Sequence, residues 1–212
     1  MKATLPNQKG YIFHYIKKNN SLWLRKSWKI QSTNFSERQS LIKRLSLIND
    51  MGLLIKPKIK TFVSSDHCHI EQEFCKNIQK IDSNKKKKII HELGDLIFLC
   101  HQRDLIHGDL CYSNIAISEK DELLVFDWEP FLEKHINGLI ELRSSKYACH
   151  PIDMNSRVIT WRSDLYAFIN LTLQIVHGRY EGLKIAKKQS KRIEKLTEYK
   201  RHPLTILREI NF

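Results

Sequence analysis

Glycine, proline and long apolar runs are scarce in this sequence of 212 residues, which contains seven glycines and five prolines. No internal repeat and no Gly/Ser-rich linker is present. The longest apolar stretch, around residues 93–100, contains Asp95 and falls short of the roughly 20 apolar residues that span a bilayer. With 42% hydrophobic and 9% aromatic residues, the composition is typical of a globular chain and not of a disordered one. We therefore expect a soluble protein.

The cysteines argue against a disulfide-stabilised protein. There are five, an odd number, at irregular spacings and without a CxxC pair. This pattern argues against a disulfide framework and predicts reduced thiols. The first twenty residues lack an uninterrupted apolar core, so no signal peptide is predicted. The expected location is the cytoplasm, extending to peripheral contact with the inner membrane.

Positive charge is abundant, with a formal net charge of +13. It is concentrated in residues 76–88 and in a tail at residues 178–202, where nine Lys or Arg stand against three Glu. Such clusters suit a solvated helical surface. They equally suit attraction to an anionic partner such as a lipid surface, a phosphorylated glycan or, less favoured, nucleic acid.

The order of predicted elements indicates an α+β fold in two parts. Residues 1–75 form a small β-rich part, and residues 76–212 form a helical part with an inserted strand pair and a basic C-terminal helix. Apolar periodicity and turn residues define the elements. Strands are predicted at 11–18, 21–29, 54–65, 68–74, 114–118 and 123–127, and helices at 34–52, 84–104 and 161–176.

Two stretches carry the chemistry, "LIHGDLCYSNIAI" (105–117) and "LLVFDWEP" (123–130). Asp109 and Asn114 lie on a short polar loop after a helix, and Asp127 ends the second strand of the predicted pair. An antiparallel strand pair places the start of its first strand beside the end of its second. Asn114 and Asp127 should therefore lie close together. A carboxylate that orients a hydroxyl, together with oxygen ligands for Mg²⁺, is what phosphoryl transfer requires.

These stretches resemble the protein kinase-like superfamily. "HGDLCYSN" is similar to its catalytic loop, with Gly108 in place of Arg, and "FDWE" stands where Asp-Phe-Gly usually stands. The resemblance implies a bilobal fold that uses ATP and Mg²⁺. It implies Asp109 as catalytic base and Asn114 and Asp127 as metal ligands.

The resemblance also implies a lysine on a strand and a glutamate on the following helix, which together hold the phosphates. Alternation along strand 21–29 favours Lys26 over Lys29, because Lys26 shares the more apolar face, and leaves Lys29 as the alternative. Glu37 is the candidate for this glutamate, because it is the one acidic residue among the first 49. A capping role at the start of its helix would also explain a glutamate there.

Four further residues have implied roles. Asp164 resembles the superfamily's buried helix aspartate, which holds the backbone amides of the catalytic loop, although an aspartate also suits any helix N-terminus. His107 would then be a structural loop residue. The stretch "EQEFC" occupies the position between the two parts where backbone groups bind adenine, which makes Glu71 and Phe74 candidate nucleotide contacts.

The sequence departs from the superfamily's pattern in several places. No GxGxxG is present, and Gly10 is the one glycine before Gly52. Gly108 removes the Arg that reads a phosphorylated segment, and Glu129 replaces a flexible Gly. Since only 48 residues follow Asp164, most substrate-binding helices of protein kinases are expected to be missing.

The motifs are more similar to small phosphotransferases than to regulated protein kinases. Residues 35–59 resemble the Glu-bearing helix of lipopolysaccharide-core kinases, so the leading acceptor is a sugar hydroxyl on a lipopolysaccharide core. A protein Ser/Thr acceptor, as in RIO kinases, is the alternative, and an aminoglycoside-like small molecule comes third because the net charge disfavours a cation. A non-catalytic pseudokinase is the competing class, and the missing glycine loop is its best argument.

Overall fold

The computed structural model describes residues 11–18, 21–29, 35–51, 57–64, 66–75, 85–128, 149–156 and 159–210. Within them the fold is α+β, with a small antiparallel sheet and several helices. The strands are β1 (Tyr11–Lys18), β2 (Ser21–Lys29), β3 (Ile59–Val63), β4 (His67–Glu73), β5 (Ile115–Ile117) and β6 (Leu123–Val125). The helices are α1 (Phe35–Asp50), α2 (Lys86–Gln102), α3 (Pro151–Ser156), α4 (Trp161–His177), α5 (Arg179–Lys188), α6 (Ser190–Leu196) and α7 (Pro203–Glu209).

Four strands form one antiparallel sheet in the order β1-β2-β4-β3. Lys26 lies opposite Phe13 on β1 and Ile70 on β4, whereas Arg25 lies opposite His14 and Glu71. Because directly opposed residues point to the same side, the sheet has two distinct faces. We call the Lys26 side the inner face and the Arg25 side the outer face.

The inner face is the one that α1 covers. Helix α1 packs against β3. Ile48, near the end of this helix, and Met51, just after it, are buried in one cluster with Ile59, Cys68 and Ile70. These three strand residues share the inner face by the register of the sheet. The predicted helix therefore contributes its apolar side to the same face that carries Lys26.

The outer backbone edge of β3 is hydrogen-bonded by a side chain of α1. The Asn49 amide accepts a hydrogen bond from the backbone N–H of Thr61 (2.9 Å) and donates one to the Thr61 carbonyl (3.1 Å). It thus satisfies both backbone groups in the way that a neighbouring strand would.

The helical part is built around α4, which is buried along most of its length. It packs against α2, α5, α6 and α7. A Cβ on Gly182 would come within 2.5 Å of the Gln174 backbone, so glycine there permits the close approach of α5 to α4. The basic tail forms two helices, α5 and α6, instead of one, and buries Ala186 and Ile193.

None of the described helices is long and apolar enough to cross a membrane. All five cysteines lie in described segments and are free. Burial raises the pKa of the Cys68 thiol to about 12, which keeps it protonated and unreactive.

Candidate active site

The polar loop between α2 and β5 is fixed by one buried carboxylate. Asp164, in the first turn of α4, is 1% exposed. Its Oδ2 accepts the backbone N–H of His107 and its Oδ1 accepts that of Gly108, both at 2.8 Å. This is the contact that the resemblance implied for Asp164. The two bonds set the conformation of the loop immediately before Asp109.

A third donor to Asp164 was missed at the sequence level. His101, in the last turn of α2, is 3% exposed and places Nε2 3.1 Å from Asp164 Oδ2. Since a carboxylate oxygen accepts, His101 donates. Burial raises the pKa of Asp164, but the His101 hydrogen bond and charge and the Gly108 amide outweigh it and hold this pKa below its ordinary value. Asp164 therefore remains ionised, and a lone histidine on a helix gave no signal for this role.

The start of α4 is itself anchored by a second buried carboxylate that the sequence did not reveal. Asp153 is 1% exposed. Its Oδ2 accepts hydrogen bonds from the Thr160 N–H and Oγ1, both at 2.7 Å, and from Ser163 Oγ at 2.8 Å. These bonds fix the turn of helix that carries Asp164.

The backbone conformation at position 108 requires a glycine, apart from any loss of the Arg side chain. Its φ is 83°, and it is buried. Residues with a Cβ rarely adopt this left-handed region. The glycine lets its N–H turn toward Asp164, which gives the departure from the usual Arg a conformational reason.

His107 is held as a neutral ring with both nitrogens engaged. Its Nε2 lies 2.7 Å from the Phe126 carbonyl, which can only accept, so Nε2 carries the proton. Its Nδ1 then accepts the backbone N–H of Asp109 at 3.2 Å. The ring packs against Trp128, with centroids 4.7 Å apart. His107 therefore links the loop to the end of β6, and neither nitrogen is available as a base.

Asp109 and Asn114 contact each other across the loop. Asn114 is 6% exposed, and its Nδ2 donates to the Asp109 carbonyl at 2.9 Å and lies 3.4 Å from Asp109 Oδ2. The Asn114 carbonyl accepts the N–H of Phe126 at 2.8 Å. One short hairpin thus joins the loop to the residue before Asp127.

Asp127 lies two residues past the end of β6 in a left-handed conformation, with φ 58°, and is exposed. Asn114 precedes β5 and Asp127 follows β6, so the pairing of the two strands brings both to one end of the hairpin. An amide oxygen and two carboxylates form a hard oxygen donor set that fits Mg²⁺. Among the described residues, no group of three or more His, Cys, Asp or Glu is placed to hold a metal ion.

The inner face of the sheet meets this hairpin. Gln72 is on the inner face, and its Nε2 lies 3.5 Å from the Val125 carbonyl at the end of β6. Lys26 shares that face, and its Nζ lies 5.7 Å from the Phe13 ring centroid. Lys29, three residues later on the same strand, is on the outer face. Glu37 is in the first turn of α1, and its side chain lies outside the described residues.

Glu71 is not brought to this site, which corrects its assignment as a nucleotide contact. It points to the outer face, where Arg25 binds its Oε1 and Lys18 binds its Oε2. Its backbone lies inside the sheet between β2 and β3. Phe74 follows β4, its N–H donates to the Leu22 carbonyl at 2.7 Å, and its ring is 40% exposed. The position of "EQEFC" along the chain did not reveal the sheet register.

No protein-family model matches the sequence, and no curated protein matches it. The geometry of the loop and the hairpin therefore carries the functional assignment.

Proposed function

We propose that this protein is an ATP- and Mg²⁺-dependent phosphotransferase of the kinase-like bilobal kind, with a hydroxyl group as acceptor. The observation that carries the proposal is the bonding of the loop: Asp164 holds the amides of His107 and Gly108, and Asn114 bonds to Asp109. A buried carboxylate that fixes a loop bearing a half-buried acid and an amide suits a reaction whose catalysis depends on positioning.

Each residue then has a chemical role. Asp109 orients the acceptor hydroxyl and takes its proton. Asn114 and Asp127 would hold Mg²⁺, which neutralises charge on the phosphates when it is bound. Lys26 binds phosphate oxygens from the inner face, and Glu37 orients Lys26. His107 and Asp164 support the loop.

The first test removes charge from the proposed metal site without disturbing the backbone. Asp127→Asn is the suitable change, because Asn also tolerates a positive φ whereas Ala would add strain. We expect Mg·ATP to raise the melting temperature of the wild-type protein and to have little effect on the variant. Differential scanning fluorimetry with and without Mg²⁺ measures both.

Glu119→Gln is the matched control, because it removes one exposed carboxylate from the turn between β5 and β6. It should retain the wild-type shift. Equal shifts in the wild type and Asp127→Asn would contradict the proposed metal site.

The proposed acceptor is a lipopolysaccharide-core sugar, and the basic tail supports it. Lys187, Lys188 and Lys191 are exposed and lie outside the candidate active site. Exposed cations attract an anionic glycolipid at close approach, since charges are screened within about 8 Å at physiological salt.

Reversing Lys187, Lys188 and Lys191 to Glu should therefore raise the KM for purified lipid A–core in a salt-dependent way and leave kcat nearly unchanged. Arg192 is left intact because its Nη2 donates to the Glu209 carbonyl at 2.5 Å, a structural contact at the end of α7. Transfer of ³²P from ATP gives both constants. Unchanged KM would make the tail a solvated surface only, and no transfer to lipid A–core by the wild type would exclude this acceptor.

A further inference from the structure

A second concave site lies on the outer face of the sheet, where that face meets β3 and the end of α1. Its cavity has a volume of about 650 Å³, which is within the range of small-molecule sites. We call it the outer-face pocket. The charged and aromatic residues that define it are Lys18, Arg25, Lys58, Lys60, Phe62 and Glu71.

The pocket carries four cations against one carboxylate. Glu71 is 1% exposed at its base, and both its oxygens are engaged: Oε2 by Lys18, and Oε1 by Arg25 Nε at 2.8 Å. Burial raises the pKa of Glu71, but the hydrogen bonds and charges of Lys18 and Arg25 outweigh it and hold this pKa low. The carboxylate is thus ionised and already saturated by two of the four cations.

The other two cations, Lys58 and Lys60, have no carboxylate partner among the described residues. Lys60 is instead held by an aromatic ring. The Nζ atoms of Lys18 and Lys60 lie 5.4 and 5.9 Å from the Trp23 ring centroid. Because Glu71 is already engaged by Lys18 and Arg25, a bound anion would neutralise the charges of Lys58 and Lys60, which Glu71 does not.

The aromatic wall suits an organic ligand. Phe62 is 38% exposed. The Arg25 guanidinium carbon lies 5.1 Å from its ring centroid, and the His69 ring stacks on it at 4.6 Å. These contacts fix a flat apolar surface beside the cations.

We propose that the outer-face pocket is a binding site for a ligand that carries two or more phosphate groups. Arg25, oriented by Glu71, presents its remaining N–H groups to one phosphate, and Lys58 and Lys60 provide point charges for the other. The exposed side of Phe62 contacts the body of the ligand. Free polyphosphorylated molecules and diphosphate lipid headgroups share this chemistry.

The site is independent of the proposed phosphotransfer. Arg25 and Glu71 lie on the outer face, and Lys26 lies on the inner face that meets β6. A ligand in the outer-face pocket therefore does not contact Asp109 or Asp127. Its binding can be measured whether or not the protein transfers phosphate.

Isothermal titration calorimetry of the full chain with inorganic tripolyphosphate, without Mg²⁺, tests the proposal. The double variant Lys58→Ala/Lys60→Ala should bind about tenfold or more weakly than the wild type, because charge-assisted contacts are lost. Lys43→Ala/Lys120→Ala removes the same charge from exposed positions on α1 and on the turn between β5 and β6. It should bind within about twofold of the wild type if contact with the pocket, and not the net charge of the protein, governs affinity. Lys26→Ala, on the other face, reports any binding of tripolyphosphate at the proposed phosphotransfer site.

Lys58→Glu provides a single exposed change if the double variant fails to fold, and it should weaken binding at least as much. Sedimentation with phosphatidylcholine vesicles containing cardiolipin identifies the source: loss of vesicle binding in the same variants, with weak tripolyphosphate binding, assigns the pocket to a lipid diphosphate. No binding to either probe by the wild type overturns the proposal. So does an equal loss in both double variants, or a loss confined to Lys26→Ala.

Discussion

Replacing Asp164 with Ala is expected to lower the free energy of unfolding by about 3–5 kcal/mol, as is usual when one partner of a buried charged network is removed. The change would leave three buried donors without their acceptor: the N–H groups of His107 and Gly108 and the Nε2–H of His101. Each such loss costs about 1–3 kcal/mol. Urea denaturation followed by circular dichroism measures the difference.

Asp95→Ala is the matched control. Asp95 is in α2, its side chain is 61% exposed, and its nearest partner is His202 at 3.5 Å. An exposed change of this kind should shift the free energy of unfolding by no more than about 0.5 kcal/mol. If Asp164→Ala lowered the free energy of unfolding by no more than Asp95→Ala does, the loop would not depend on the Asp164 carboxylate.

The difference between the wild type and Asp164→Ala should also depend on pH. The folded-state pKa of Asp164 is lowered, so its ionised form contributes stability fully above the unfolded-state pKa of about 3.9. That contribution is lost as the pH falls through the folded-state value. The two denaturation curves should therefore converge only in acid, below about pH 4, and convergence near neutral pH would contradict the direction of the shift.

Replacing Asp109 with Ala is expected to reduce kcat for phosphate transfer by about 10²–10⁴-fold, the usual contribution of a general base. The variant should still fold and bind nucleotide. Asn114 keeps its 2.9 Å bond to the Asp109 backbone carbonyl and loses only the 3.4 Å contact to the carboxylate. Initial rates of ATP-dependent acceptor phosphorylation and the Mg·ATP melting shift test the two statements separately.

Glu119→Gln again serves as the control and should retain wild-type kcat. More than a tenth of wild-type activity in Asp109→Ala would remove Asp109 from the chemical step. A wild-type protein that binds Mg·ATP but transfers phosphate to neither lipid A–core nor protein would favour the non-catalytic alternative.

Element positions could largely be predicted from the sequence because they depend on local patterns. Strands 11–18 and 21–29 have the bounds of β1 and β2, since alternating side chains and an Asn-Asn turn are short-range signals. Helix 161–176 corresponds to α4, which ends at His177, one residue later.

Features that depend on register or on distant contacts could not be predicted in this way. Glu71 was predicted to contact the nucleotide because of its position between the two parts of the chain. The pairing of β4 with β2 instead places its side chain beside Arg25. His101 and Asp164 are 63 residues apart, and nothing local to either residue announces their contact. Gly108 was interpreted as a missing side chain, and its φ of 83° shows a backbone requirement.

The Asn49 amide on the edge of β3 bears on how this protein behaves when it is concentrated. An exposed edge strand is a template on which another chain can add a strand, the first step of many aggregation and domain-swapping events. At Thr61, the middle residue of β3, an incoming strand would have to displace Asn49 from both of its hydrogen bonds. A single side chain on α1 thus protects this edge against intermolecular sheet growth.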